Sequence, residues 1–331
     1  MTQSPSTPDE RGELFALLLR LHPSKEGQVI PGAGNQLQAA FLDLVRQGDP
    51  QLSEWLHQPN QRRPYTLGLL QGFNHLTPKQ REEAITRQQP VTVLPGQTYW
   101  LRITMLDASI FSTFAHVLIS KAYALSVRLD DAHFTISRLL SSPDPTTAAS
   151  SWVAYSTFAD LYALQSAQPL YQFEFATPTA FSKGQHAWGK YLKLFPEPSL
   201  VFASLAKRWE DCAPIALRLE RANLSSRDIE CWCEENVIVS QYTLSTSRVT
   251  GSHFGQTGFQ GHVTYEVKGS PVAPEARWLS TLARFAFFSG VGYKTAMGMG
   301  QVRCTNVSLP AATSSVVDEE ATGAEREIPA P

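Results

Sequence analysis

Residues 290–300, GVGYKTAMGMG, set four glycines in two G-x-G pairs around Lys294. Glycine at that density lets another backbone approach closely and leaves amide N–H groups open to an anion, which suits phosphate contact. The spacing is not that of a P-loop, and Thr295 stands where the third glycine of a dinucleotide fingerprint would fall. A helix C-cap followed by a bulged turn uses the same glycines, and the residues alone leave the two readings even.

A second candidate is His57. On a short helix with Leu52, Trp55 and Leu56, it lies roughly 145° from the centre of the apolar face at 100° per residue. A histidine exposed at a helix end is ordinarily a plain surface residue. Here Arg62 and Arg63 follow five and six residues later and can hold a phosphate beside an imidazole, a group suited to proton transfer near neutrality. The third stretch, FSKGQHAWGKYLK at 181–193, interleaves Lys183, Lys190 and Lys193 with Phe181, His186, Trp188 and Tyr191. Aromatic faces for bases and ammonium groups for the backbone suit single-stranded RNA, although a solvated loop would read the same way. Cys231-Trp232-Cys233 lacks zinc-knuckle spacing, and Cys212 and Cys304 add no C-x₂-C pair. No metal site and no cofactor is expected.

Those residues must be positioned by the elements around them. Residues 13–21, ELFALLLRL, read as a buried strand stopped by His22-Pro23. Residues 36–47 place Leu37, Ala40, Phe41, Leu44 and Val45 on one helical face. Asp49-Pro50 then supplies an N-cap carboxylate and a proline at N1 for the short helix ending near His57. Extended chain is expected at 65–73, strands at 98–106 and 133–140, and a helix at 109–123. That order is a ferredoxin-like βαββαβ unit. Residues 141–151, SSPDPTTAASS, have linker composition. Beyond them strands are expected at 171–176, 216–220, 237–244, 261–267 and 301–307, with helices at 199–211 and 274–289. The fold class is therefore α+β, with tandem ferredoxin-like units. The divisions are a flexible N-terminus at 1–12, a first unit at 13–145, a second at 146–308 and a disordered acidic tail at 309–331.

Composition bounds the rest. The chain has 331 residues, 43% hydrophobic and 18% charged, enough for about two packed domains and too apolar for wholesale disorder. No apolar run reaches the length of a membrane span, and the opening MTQSPSTPDERGE shows no secretory signal. Four cysteines fit a reduced, cytoplasmic setting, and no membrane partner is expected. Net charge is −2, but residues 309–331 hold five carboxylates against Arg326 alone. The remainder is only slightly basic, so any nucleic-acid site must be a local patch.

Together these stretches resemble the CRISPR-associated endoribonucleases that cut precursor CRISPR RNA, the sixth numbered Cas family of the RAMP superfamily. GVGYKTAMGMG is similar to that family's C-terminal signature, two G-h-G pairs flanking a spacer with a basic residue. DPQLSEWLH with the following Arg62, Arg63 and PYTLG resembles its N-terminal catalytic region. ATPTAF at 176–181, PEPSLVFASLAKRW at 196–209 and GFQGHVTYEV at 258–267 resemble the second half of cyanobacterial-type members. The likeness spans about residues 13 to 308 of the sequence.

The resemblance implies two RAMP domains holding RNA between them and metal-independent cleavage by the RNA's own 2′-hydroxyl. The products would be a 2′,3′-cyclic phosphate and a 5′-hydroxyl, and the partners the precursor repeat RNA and a CRISPR effector complex. His57 falls on the family's catalytic histidine, and Arg63 where many members carry lysine. Arginine stays protonated, so Arg63 would stabilise charge rather than shuttle a proton. The tyrosine some members use falls at Leu42, with Phe41 beside it; that partner is absent here or comes from elsewhere, with Tyr65 a candidate. RNA contacts are expected from Arg62, Lys183, Lys190, Lys193, Gly290, Gly292, Lys294, Gly298 and Gly300. A non-catalytic RNA-holding RAMP subunit would use the same loop and lysines, and an unrelated nucleotide enzyme only the loop. His57 separates the first two readings, because only the enzyme needs its imidazole.

Overall fold

The computed structural model describes residues 11–58, 63–120, 126–144, 147–249 and 255–310. Its first half runs β1 (Glu13–Pro23), β2 (Gly27–Val29), α1 (Gly34–Arg46), α2 (Pro50–His57), β3 (Tyr65–Leu67), α3 (Pro78–Arg87), β4 (Val91–Val93), β5 (Tyr99–Met105), α4 (Ala108–Ser120), β6 (Ser126–Leu129) and β7 (Ala132–Leu140). After the linker come β8 (Ala154–Thr157) and α5 (Phe158–Ala163). The second half holds β9 (Leu170–Thr179), β10 (Phe181–His186), β11 (Gly189–Lys193), α6 (Pro198–Cys212), α7 (Ser226–Asn236), β12 (Val237–Val249), β13 (Gln256–Val267), α8 (Pro274–Ser289) and β14 (Val302–Cys304). No described helix is long and apolar enough to cross a membrane.

Two antiparallel sheets carry the fold. The first is ordered β3-β5-β1-β7-β6, with β8 paired to the start of β1; the second is β12-β13-β9-β14. Taking β1, β3, β5 and β7 as the four strands of one unit, and β9, β12, β13 and β14 as those of the other, both read 2-3-1-4. That is the order the βαββαβ pattern predicts, and it occurs twice.

The pleat explains how the halves meet. On β1, Phe15, Leu17, Leu19 and Leu21 enter the first core beneath α1 and α4, while Leu14 and Ala16 on the opposite face join the second core. On β5, Arg102 shares that second face. It is 3% exposed, its Nε donates to the Trp152 carbonyl at 2.9 Å, and its Nη2 donates to the Phe287 carbonyl on α8 at 2.7 Å. Its guanidinium also lies 5.3 Å and 4.7 Å from the Trp152 and Phe287 ring centres. Burial, with the charge of Arg303 added, draws its pKa down to about 9.

Several expected elements are corrected. Residues 216–220 form 3₁₀ turns rather than a strand, because α6 side chains satisfy their backbone. Trp209 Nε1 donates to the Leu217 carbonyl, and Glu210 accepts from the Leu219 amide. The strand expected at 301–307 spans only Val302–Cys304, since Asn306 turns back to bond the Gln172 amide and the Leu170 carbonyl. Extended chain over 65–73 pairs as a strand only over Tyr65–Leu67, with an isolated bridge at Gln71. The tail from 311, residues 121–123 of the helix expected at 109–123, and Arg62 lie outside the described residues.

Candidate nucleic-acid interface and catalytic cleft

Asp49 builds the helix that carries His57. Its Oδ1 accepts from the amides of Gln51 and Leu52 at 2.9 Å, and Pro50 opens the first turn. Leu56 is 2% exposed, and Ser53 donates to the Leu42 carbonyl at 2.8 Å, so Ser53 and Leu56 form the buried face. Trp55, expected in that face, is 43% exposed, and His57 is exposed at the C-terminal end.

Arg63 ties this helix to a cleft. Its Nε donates to the Leu56 carbonyl at 3.2 Å. With the Gln38 amide turned to satisfy its neighbours, the amide oxygen accepts from Arg63 Nη1 at 3.3 Å and from the Tyr65 hydroxyl at 2.9 Å. Arg208 on α6 reaches from the second half and donates to the carbonyls of Arg63 (2.6 Å) and Tyr65 (3.2 Å). Tyr65, named as a substitute for the family's tyrosine, is fully buried against Phe41, and burial raises its pKa. In this structure its ring sits in the first core and its hydroxyl is engaged by Gln38.

The cleft has a volume of about 290 Å³ and includes Arg63, Lys207, Arg208 and Lys294 in its lining. No carboxylate is among its described lining residues. His57 does not line it, but stands one residue from Leu56, whose carbonyl holds Arg63. Ser204, Lys207 and Arg208, at i, i+3 and i+4 on α6, are residues the sequence reading missed, although that spacing announces one helical face.

The glycine loop forms the opposite wall and joins the halves. Ala296 enters the first core, and Gly34 at the start of α1 meets the Met297 carbonyl so closely that a Cβ would lie 1.8 Å from it. Most loop amides are used internally: Val291 N bonds Gly300 O, Tyr293 N bonds Ala180 O, and Gly292 N bonds Ser204 Oγ. The amides of Lys294, Thr295 and Ala296, all in the cleft lining, make no hydrogen bond among the described residues. Gly290 caps α8, as the capping reading requires. At Gly300 φ is +72°, and a Cβ would lie 2.1 Å from the Val291 carbonyl. Gly300→Ala is therefore expected to destabilise the protein by at least about 2 kcal/mol. The chemical-denaturation midpoint measures this, and an unchanged midpoint contradicts it.

The lysines of 181–193 ride on the β10–β11 hairpin. Lys190 donates to the Tyr293 hydroxyl at 3.2 Å, with its ammonium 4.3 Å from that ring's centre, so the hairpin touches the glycine loop. Lys193 pairs with Glu197 at 3.4 Å, and Lys183 lies 3.9 Å from Glu230. At the tip, His186 stacks on Trp188 at 5.1 Å, and Trp188 is 70% exposed. The structure thus brings Arg63, Lys190, Gly290, Gly292 and Lys294 to adjoining cavities that share Tyr293. Gly298 and Gly300 shape the loop's back, where Gly298 abuts Leu69 and Gly300 abuts Val291.

The family model described as CRISPR-associated endoribonuclease Cas6 matches residues 173–302, and that of the CRISPR Cas6 N-terminal domain matches 14–163. The chain belongs to the Cas6 family. A Cas6 endoribonuclease from Mycobacterium tuberculosis is 30% identical over 186 residues, covering 53% of this chain and 52% of that protein. One from Streptococcus thermophilus is 26% identical over 144 residues, covering 44% and 54%. The chain thus matches about half the length of these curated Cas6 relatives. Among solved structures, the Cas6 (TTHB231) product complex superposes with a TM-score of 0.70 at 25% identity, covering 88% of this chain and 99% of that one. The Cas6 (TTHA0078) product complex gives 0.61 at 26% identity, with the same coverage. A Cas6-related protein from Pyrococcus furiosus, at 14% identity and a TM-score of 0.52, shares the fold.

Proposed function

We propose that this chain is a cytoplasmic endoribonuclease that cuts precursor CRISPR RNA within its repeats, without a metal, and releases guide RNAs to an effector complex. In the reaction, a base takes the 2′-hydroxyl proton, the 2′-oxygen bonds to phosphorus, and the bond to the 5′-oxygen breaks. An acid protonates that oxygen, leaving a 2′,3′-cyclic phosphate and a 5′-hydroxyl. His57 serves one of the two proton transfers. Arg63 and Lys294 offset the extra negative charge of the phosphorane. The hairpin lysines Lys183, Lys190 and Lys193 hold the RNA backbone, and Arg62 belongs beside Arg63 in the chain.

The observation that carries this reading is the cleft itself. It sets four cations and no described carboxylate at the joint of two RRM-like units, with Arg63 bonded to the last turn of the helix that bears His57. Charge stabilisation there predicts that Arg63→Ala slows single-turnover cleavage by about 10² to 10³. Arg63→Lys should recover part of that loss, because it keeps the charge but not the bond to Leu56. Equal rates for native and Arg63→Ala protein would remove Arg63 from the site. A repeat RNA carrying one 2′-deoxynucleotide at the cleaved position tests the nucleophile: it should bind normally and stay whole, whereas cleavage there would overturn attack by the 2′-hydroxyl.

A further inference from the structure

A second polar cavity, of about 560 Å³, lies on the first sheet away from the cleft. Its floor is a transverse row across three strands. Arg20 on β1 is the direct partner of Trp100 on β5 and of Arg138 on β7, so all three side chains stand on one face. The Arg20 guanidinium lies 5.9 Å from the Trp100 ring centre, and its Nε is buried with no hydrogen-bond partner among the described residues. The indole rests on Leu18, Leu140 and Val153, which fix it from below. Asn74, Gln97 and Thr98 add amide and hydroxyl groups at the rim. Among the described residues, the one carboxylate bonded to the row is Asp144, 3.1 Å from Arg138. Its described lining residues come from the first half, except Thr147 just past the boundary at 146.

This is chemistry for unpaired nucleotides. An indole held in place offers a stacking face, two guanidinium groups offer phosphate contacts, and the rim offers donors and acceptors for base edges. The face is also continuous with the joint between the halves. Arg102, two residues from Trp100 on β5 and on the same side of the pleat, bonds the helix that runs into the glycine loop. We infer that Arg20, Trp100 and Arg138 form a second RNA subsite, which holds a single-stranded segment flanking the position cut in the cleft. The inference rests on the endoribonuclease reading for the identity of the RNA, and on the row itself for the site.

The test compares two RNAs. One is the shortest repeat fragment spanning the cleaved position; the other carries about ten further unpaired nucleotides, on the 5′ side in one version and the 3′ side in another. Native protein should bind one flanked version at least tenfold more tightly than the short RNA. The double variant Arg20→Gln/Arg138→Gln should lose that advantage, and its log–log salt slope on the flanked RNA should fall by roughly 1.4. Trp100→Leu, which keeps an apolar seat on Leu18 and Leu140, should lose most of the advantage without the change in slope. A flank that adds no affinity in native protein overturns the subsite, as does a double variant that weakens both RNAs alike. If native protein holds the flanked RNA through these residues but cuts neither, the nuclease reading fails and the subsite stands. Binding of neither RNA overturns both.

Discussion

Replacing His57 with alanine is expected to slow single-turnover cleavage of a repeat RNA by about 10² to 10⁴ while leaving its binding nearly unchanged. The size follows from the role. General acid or base catalysis by a positioned imidazole contributes that range, and the leaving 5′-oxygen or the attacking 2′-oxygen loses its proton partner without it. The invariance of binding follows from the geometry: His57 is exposed at the end of α2 and lines none of the cavities described around Tyr293. The cations that would hold the RNA stand on other elements, Lys207 and Arg208 on α6 and Lys294 in the glycine loop. Affinity by filter binding and rate under enzyme excess separate the two effects. A variant that cuts at the native rate moves the proton transfers to another residue, and one that loses binding in proportion makes His57 a contact rather than a catalyst.

The largest stability effect is expected at Arg102. Arg102→Ala removes two charge-assisted bonds, leaves the buried carbonyls of Trp152 and Phe287 without donors, and opens space between their rings. Relief of the buried charge works in the other direction, since burial already lowers the guanidinium pKa. The carbonyl pairing and ring contacts outweigh it, because the alanine variant leaves two desolvated acceptors and a cavity together. A loss of about 3 to 5 kcal/mol is expected. Arg102→Met, which fills the space but cannot donate, should lose less. Denaturant midpoints measure both, and an alanine variant within about 1 kcal/mol of native would show that the joint does not depend on Arg102.

Much of the fold was legible because its helices and central strands bury one clear face. Pro274–Ser289 is helical over the predicted residues, and Asp49 caps α2 as its chemistry suggests. What escaped was structure without apolar periodicity. The β10–β11 hairpin buries only Phe181 among its strand residues, so nothing in its alternation marks a strand. α3 is polar along most of its length and declares itself only through the Thr77–Gln80 capping box. α7 likewise buries only Ile229 and Cys233, behind a Ser225–Asp228 capping box. At the candidate site, the glycines were visible as a cluster but their two tasks were not separable. Gly292 meets the Ala180 carbonyl and Gly298 the Leu69 side chain, both far away in the chain, so neither constraint could be read from the loop alone. Arg208 was invisible as a positioning group for the same reason: its partners, the Arg63 and Tyr65 carbonyls, are more than 140 residues distant.

The central claim is tested most directly by incubating native protein with a repeat-containing RNA in excess chelator and determining the ends of the products. One cut within each repeat is expected, with a 2′,3′-cyclic phosphate on the upstream fragment and a 5′-hydroxyl on the downstream one. RNA that is bound but left whole, or products ending in a 5′-phosphate, would contradict the account.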